Sequence, residues 1–128
     1  GARVRLVRRG AATPKGLSFT GEHEIDKAYI RCMRQLLAGD ARPILATQDP
    51  RLIEIAAALA VRSDRDPSTY AFQFLLGVPL DSAAELVSTG SQVSILVPFG
   101  TDWATYLSQE ISLKPDIVGQ AARAAMGR

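Results

Sequence analysis

Four times along the chain, a short apolar run precedes a stretch with helical spacing. The first run, Val4–Val7, is followed by a polar segment, 8–21, that contains Gly10, Pro14 and Gly16. Ile25, Ala28, Tyr29, Cys32, Met33, Leu36 and Leu37 then recur at three-and-four spacing, the mark of one buried helix face. Thr20 is placed to cap this helix, Glu22 and Glu24 suit its positive first turn, and Gly39 suits its exit. The second run, Ile44–Thr47, leads to Asp49–Pro50, an N-cap followed by the residue that best opens a helix. Leu52, Ile55, Ala56, Leu59 and Ala60 form the expected stripe of that helix. The third run, Tyr70–Leu76, stops at Gly77–Val78–Pro79, and a shorter helix follows with Leu80, Ala83, Ala84 and Val87 on one side and Gly90 as its stop. The fourth run, Val93–Phe99, ends at Gly100. Thr101 is placed to cap a helix bearing Trp103, Tyr106, Leu107 and Ile111, and Pro115 opens a last short one with Val118, Ala121, Ala122 and Ala125.

Strands that are apolar almost throughout, alternating with amphipathic helices, predict an α/β fold of four βα units with a parallel sheet. A doubly wound sheet and a barrel both satisfy this pattern. In either, chemistry gathers just past the C-terminal ends of the strands. Those segments are residues 8–10, 48–49, 76–77 and 98–102. At 128 residues, the chain is sized for a single domain, 1–128. It begins at Gly1 without Met, as a piece of something longer would.

Composition narrows the function. The surplus of 15 Lys and Arg over 13 Asp and Glu is too small to point to a nucleic acid or a membrane surface. No apolar run approaches the roughly 20 residues of a bilayer span. One Cys and one His preclude an internal disulfide and a zinc site, consistent with a reducing, cytoplasmic setting. No phosphate-binding glycine loop of either common kind is present.

The densest charge is Arg3, Arg5, Arg8 and Arg9. Guanidinium groups at a strand end suit phosphate, carboxylate or an electron-rich ring, because their planar paired donors stay charged. The same group can equally serve as a charged guard on an exposed strand edge. No aromatic residues are interleaved, which argues against single-stranded nucleic acid. Asp49 is expected to be a helix cap before it is an acid or base. His23 falls in the first turn of an outer helix and is expected in solvent, and Cys32 falls on that helix's apolar stripe and is expected in the core.

The order of these segments resembles the C-terminal half of the proline dehydrogenase family, a flavin-dependent (βα)8 barrel that oxidises L-proline to pyrroline-5-carboxylate. Arg5-Leu6-Val7-Arg8 is similar to the family's R-L-V-K strand. Ala46-Thr47-Gln48-Asp49-Pro50-Arg51 is similar to A-T-H-D-P-R, and Phe72-Gln73-Phe74-Leu75-Leu76-Gly77 to F-Q-M-L-Y-G. Val97-Pro98-Phe99-Gly100-Thr101-Asp102-Trp103, with Tyr106-Leu107 beyond it, is similar to V-P-Y-G-x-x-W followed by Y-L-x-R-R.

The resemblance implies half of a TIM-like barrel, with FAD contacts from Arg5, Arg8, Thr47, Gln48 and Gln73, and with Tyr106 lining the substrate pocket. Arg8 stands for a lysine and Gln48 for a histidine. The G-A-Y that follows the family's first strand reads Arg9-Gly10-Ala11. The arginine pair that holds the substrate carboxylate reads Gln109-Glu110. An amide and a carboxylate cannot replace two charge-assisted clamps on an anion, so an impaired enzyme of proline catabolism, a pseudoenzyme, is expected. A barrel needs about 250 residues, so completion by a second copy or by an N-terminal half-barrel chain is expected too. A non-catalytic assembly module is the alternative, as is a small phosphate-ligand binder using the Arg8-Arg9-Gly10 turn.

Overall fold

The computed structural model describes residues 1–8, 16–76, 81–97 and 99–101. Four strands, β1 (Arg3–Val7), β2 (Arg42–Ala46), β3 (Ala71–Leu75) and β4 (Gln92–Leu96), alternate with helices α1 (Glu22–Ala38), α2 (Pro50–Arg62) and α3 (Asp81–Ser88). All strand pairs are parallel and follow chain order, β1-β2-β3-β4. β1 and β4 are therefore the outer strands of the sheet.

The strand alternation decides which face is covered. Pro43, Leu45, Phe72 and Phe74 are buried, with Leu6 and Val93 packed beside them. Against them lie Tyr29, Met33 and Leu37 of α1, Leu52, Ile53, Ala56 and Ala60 of α2, and Ala83 and Leu86 of α3. Tyr29 Oη donates a long hydrogen bond, 3.5 Å, to the Leu6 carbonyl, tying α1 to β1. Burial pushes its phenol well above its ordinary pKa, an effect that the Arg5 charge opposes. Tyr70 sits just before β3, after a 3-10 turn at Pro67–Thr69, and its ring meets Phe72 edge-on at 5.9 Å. The other face of the sheet carries Arg3, Arg5 and Val7 of β1, Arg42, Ile44 and Ala46 of β2, Ala71, Gln73 and Leu75 of β3, and Gln92, Ser94 and Leu96 of β4.

Three local expectations are corrected. The N-cap of α1 is Gly21, one residue after Thr20, and no side chain caps it. Cys32 is exposed. The buried positions of α1 are Tyr29, Met33 and Leu37, a strict four-residue ladder, and Cys32 lies about 100° around the helix from Met33. In α3 the inward residues are Ala83 and Leu86, while Ala84 and Val87 face solvent and Leu80 lies outside the described residues. Apolar residues at 83, 84, 86 and 87 offer two faces, and periodicity over so short a helix cannot choose between them. Gly39 does end α1, its N–H bonded to the Gln35 carbonyl, and Gly90 ends α3 at φ +84°. The last two expected helices, from residue 102 on, lie outside the described residues.

Candidate functional site

Polar side chains on the face that none of the described helices covers form a row across the sheet. Val7, Ala46, Gln73 and Ser94 stand at one level, and Arg5 stands one step lower on β1. Because Ala46 is small, the Arg5 side chain can pass over β2. Its Nε donates to Gln73 Oε1 at 2.5 Å. Gln73 Nε2 then donates to Ser94 Oγ at 3.3 Å, and that hydroxyl donates to the Phe72 carbonyl at 3.4 Å. The Arg5 Nη groups make no hydrogen bond among the described residues. A guanidinium held at Nε, with both terminal nitrogens unengaged by the described residues, presents paired donors to an anion or an electron-rich ring.

At the C-terminal ends of β1 and β2, charge alternates. Arg8 donates to Asp26 Oδ1 at 2.5 Å and to Glu22 Oε2 at 2.7 Å, both on α1. Asp26 is 3.8 Å from Arg51, and Arg51 pairs with Asp49 at 2.7 Å. Asp49 also accepts the Arg51 backbone N–H at 3.0 Å, so it is the cap of α2. The Arg51 hydrogen bond holds the Asp49 carboxyl below its ordinary pKa, against the opposing effect of partial burial. A carboxylate so engaged is a poor general base. Thr47 is buried, its hydroxyl accepting the Asp49 N–H at 3.2 Å, and Gln48 is half-buried beside it.

The structure therefore brings Arg5 and Gln73 together, with Thr47 and Gln48 just past β2. It does not bring Arg8 to them. Residues 5 and 8 are an odd number of positions apart on an extended strand, so their side chains leave on opposite faces, and Arg8 is taken up by α1. Arg9, Gly10 and Ala11, and the substrate-side positions Tyr106, Gln109 and Glu110, lie outside the described residues. His23 is exposed in the first turn of α1, as expected. Two residues escaped the sequence reading. Ser94 interrupts an otherwise apolar strand, a signal that was available. Arg65, between α2 and β3, donates to the carbonyls of Leu37, Gly39 and Ala41 and, at 2.7 Å, to Thr69 Oγ1.

Comparison with known proteins gives this arrangement relatives. Residues 10–108 match the family described as proline dehydrogenase. The proline dehydrogenase of Deinococcus radiodurans is 26% identical over 112 residues, which cover 88% of this chain and 36% of that protein. Proline dehydrogenase 2 of Bacillus subtilis strain 168 is 24% identical over 118 residues, covering 92% and 39%. Proline dehydrogenase 1 of the same strain is 27% identical over 113 residues, covering 88% and 37%. The chain thus spans little more than a third of the length of these relatives. Thr47, Gln48, Gln73 and Tyr106 fall within the family match, whereas Arg5 and Arg8 precede it and Gln109 and Glu110 follow it.

Proposed function

Because this chain belongs to the proline dehydrogenase family, we propose that it supplies four βα units of a flavin-binding barrel whose substrate clamp has been lost. The observation that carries this reading is the Arg5–Gln73–Ser94 row. The residues present fit a flavin in part. Arg5 offers two Nη groups that no described residue engages, and Gln73 braces it from β3. Thr47 keeps a hydroxyl proton to donate while its oxygen accepts from Asp49. Arg8 fits less well, since Glu22 and Asp26 hold its guanidinium. That engagement also weakens the phosphate-ligand alternative, which needs Arg8 as its leading cation.

A bound flavin supplies the two-electron acceptor for oxidation of an amine. The chain's own part is orientation. Gln73 fixes the plane of the Arg5 guanidinium, and Ser94 fixes the Gln73 amide by accepting from its Nε2. The resulting donors are set in advance, which is where such positioning gains rate. Gln109 and Glu110 stand where the family has its arginine pair. Loss of a buried charged contact costs about 2–5 kcal/mol, and a like charge costs at least that. Turnover of proline is therefore lost while flavin contacts persist.

The test is a hybrid in which this chain replaces the matching segment of Bacillus subtilis proline dehydrogenase 1. The folded hybrid should carry flavin, read by its visible absorbance, and should not oxidise proline. A folded hybrid that holds no flavin would overturn the reading.

A further inference from the structure

Beyond the flavin row, the face that none of the described helices covers carries a second cluster that the proposed function does not use. Arg3 and Arg42 are the first residues of β1 and β2 and are register partners, so two guanidinium groups stand side by side at the N-terminal end of the sheet. Both are exposed, and neither forms an ion pair among the described residues. Arg5 adds a third cation one step up the same face. No acidic residue of the four strands lies on that face. Asp40 and Asp66 line a shallow depression beside Arg42 and Arg65, yet they come from the loops before β2 and β3 and make no ion pair with Arg42. Asp66 is occupied in accepting the Ser68 N–H at 2.8 Å.

Like charges directly opposite one another destabilise a sheet. Guarding an open edge explains Arg3, which is on the outer strand. It does not explain Arg42, because β2 is flanked on both sides. Nor do these two residues belong to the flavin row, whose three members are each the central residue of their strands, whereas Arg3 and Arg42 are the first of theirs. At the N-terminal end of barrel strands, inward residues serve stability.

Resting on the half-barrel reading above, we infer that this face docks the complementary βα units of a barrel, and that their inward residues at the same end bear carboxylates that pair with Arg3 and Arg42. Two observations choose this occupant. The relatives are more than twice as long as the chain, so there is room for such units. A second copy is disfavoured by charge, since it would bring another Arg3–Arg42 pair into the same lumen without an acid from either strand face.

A charge-reversed copy of the full chain, Arg3→Glu with Arg42→Glu, provides an acidic face of the right shape as a probe. Sedimentation of an equimolar mixture at about 0.05 M salt should show a one-to-one heterodimer. Raising salt to about 0.5 M should weaken it tenfold or more, because the screening length shortens. The Arg3→Gln, Arg42→Gln copy should not pair with the parent. A mixture that stays monomeric, or a parent that forms an equally strong, salt-insensitive dimer alone, would overturn the inference.

A second measurement does not depend on folding of the acidic copy. With the pair unneutralised, the parent's unfolding midpoint should rise with moderate salt, and the Gln variant should unfold at a higher temperature than the parent. No rise in either would also overturn the inference. Arg5, Thr47 and Gln73 are unaltered throughout, so flavin retention by the hybrid reports on the proposed function separately.

Discussion

Replacing Arg65 should loosen the junction between the first and third βα units. The last turn of α1 has no basic residue of its own. Its C-terminal carbonyls, unsatisfied within the helix, are met by a guanidinium that arrives from beyond α2. Arg65 Nη1 serves Leu37 and Gly39, Nη2 serves Ala41, and Nε serves Thr69 Oγ1. A hydrogen bond from a charged donor contributes about 1.5–3 kcal/mol. Arg65 is half-buried, so water regains part of that on removal. Arg65→Ala should therefore cost about 2–3 kcal/mol, well short of the sum of four bonds. Arg65→Lys keeps the charge at the helix end, worth up to about 1 kcal/mol, but one nitrogen cannot span carbonyls and Thr69 together. It should recover less than half of the loss. Urea unfolding followed by far-ultraviolet circular dichroism gives both values, provided the variants share the parent's oligomeric state. Amide exchange should locate the change in the last turn of α1. An Arg65→Ala variant within about 0.5 kcal/mol of the parent, with α1 exchange unaltered, would refute the reasoning.

Asp49→Ala should cost about 1 kcal/mol in urea unfolding, whereas Asp49→Asn, which can still cap α2, should cost much less. Asp49 and Asp66 both have lowered pKa values, Asp49 chiefly from the Arg51 hydrogen bond and Asp66 from the Ser68 backbone hydrogen bond. Their stabilisation is therefore complete above the unfolded value of 3.8 and is lost as pH falls through the lower folded values. Acid titration of the double Asn variant should show a shallower decline there than the parent. The chain alone should bind FAD weakly, since half of the enclosing pocket is absent, and tight stoichiometric flavin on the isolated chain would contradict this. In the flavin-loaded hybrid, Gln109→Arg with Glu110→Arg should improve proline binding in a titration, with each single change doing less. Equal proline binding by the unaltered hybrid would mean that another residue holds the carboxylate.

Much of this architecture is legible in local pattern. The four apolar runs mark the four strands to within a few residues at each end, and Asp49–Pro50 marks the start of α2 because cap and proline act on adjacent atoms. Arg5 is legible from charge as well as resemblance, and Gln73 only through resemblance; the bond between them joins strands whose separation periodicity does not encode. Arg8 shows the opposite case. Its charge is conspicuous in the sequence, but its partners on α1 depend on how the helix returns across β1. Arg65 was invisible for the same reason, since the carbonyls it meets lie more than one secondary element away. Cys32 and Val87 were misassigned because an apolar residue beside a buried stripe satisfies helical spacing as well as one within it.

The strictly sequential order of the strands carries a consequence for how the chain acquires its shape. Each parallel pairing closes a loop, and the loops shorten along the sequence: Arg3 to Arg42, then Ile44 to Ala71, then Ala71 to Gln92. The last is roughly half the first, and each halving of loop length lowers the closure cost by about 0.6 kcal/mol. β3 and β4 therefore meet at the smallest entropic cost, and β1, with the widest span to bridge, is the most expensive strand to recruit. The strand that carries Arg5 is thus the one whose pairing costs the most chain entropy.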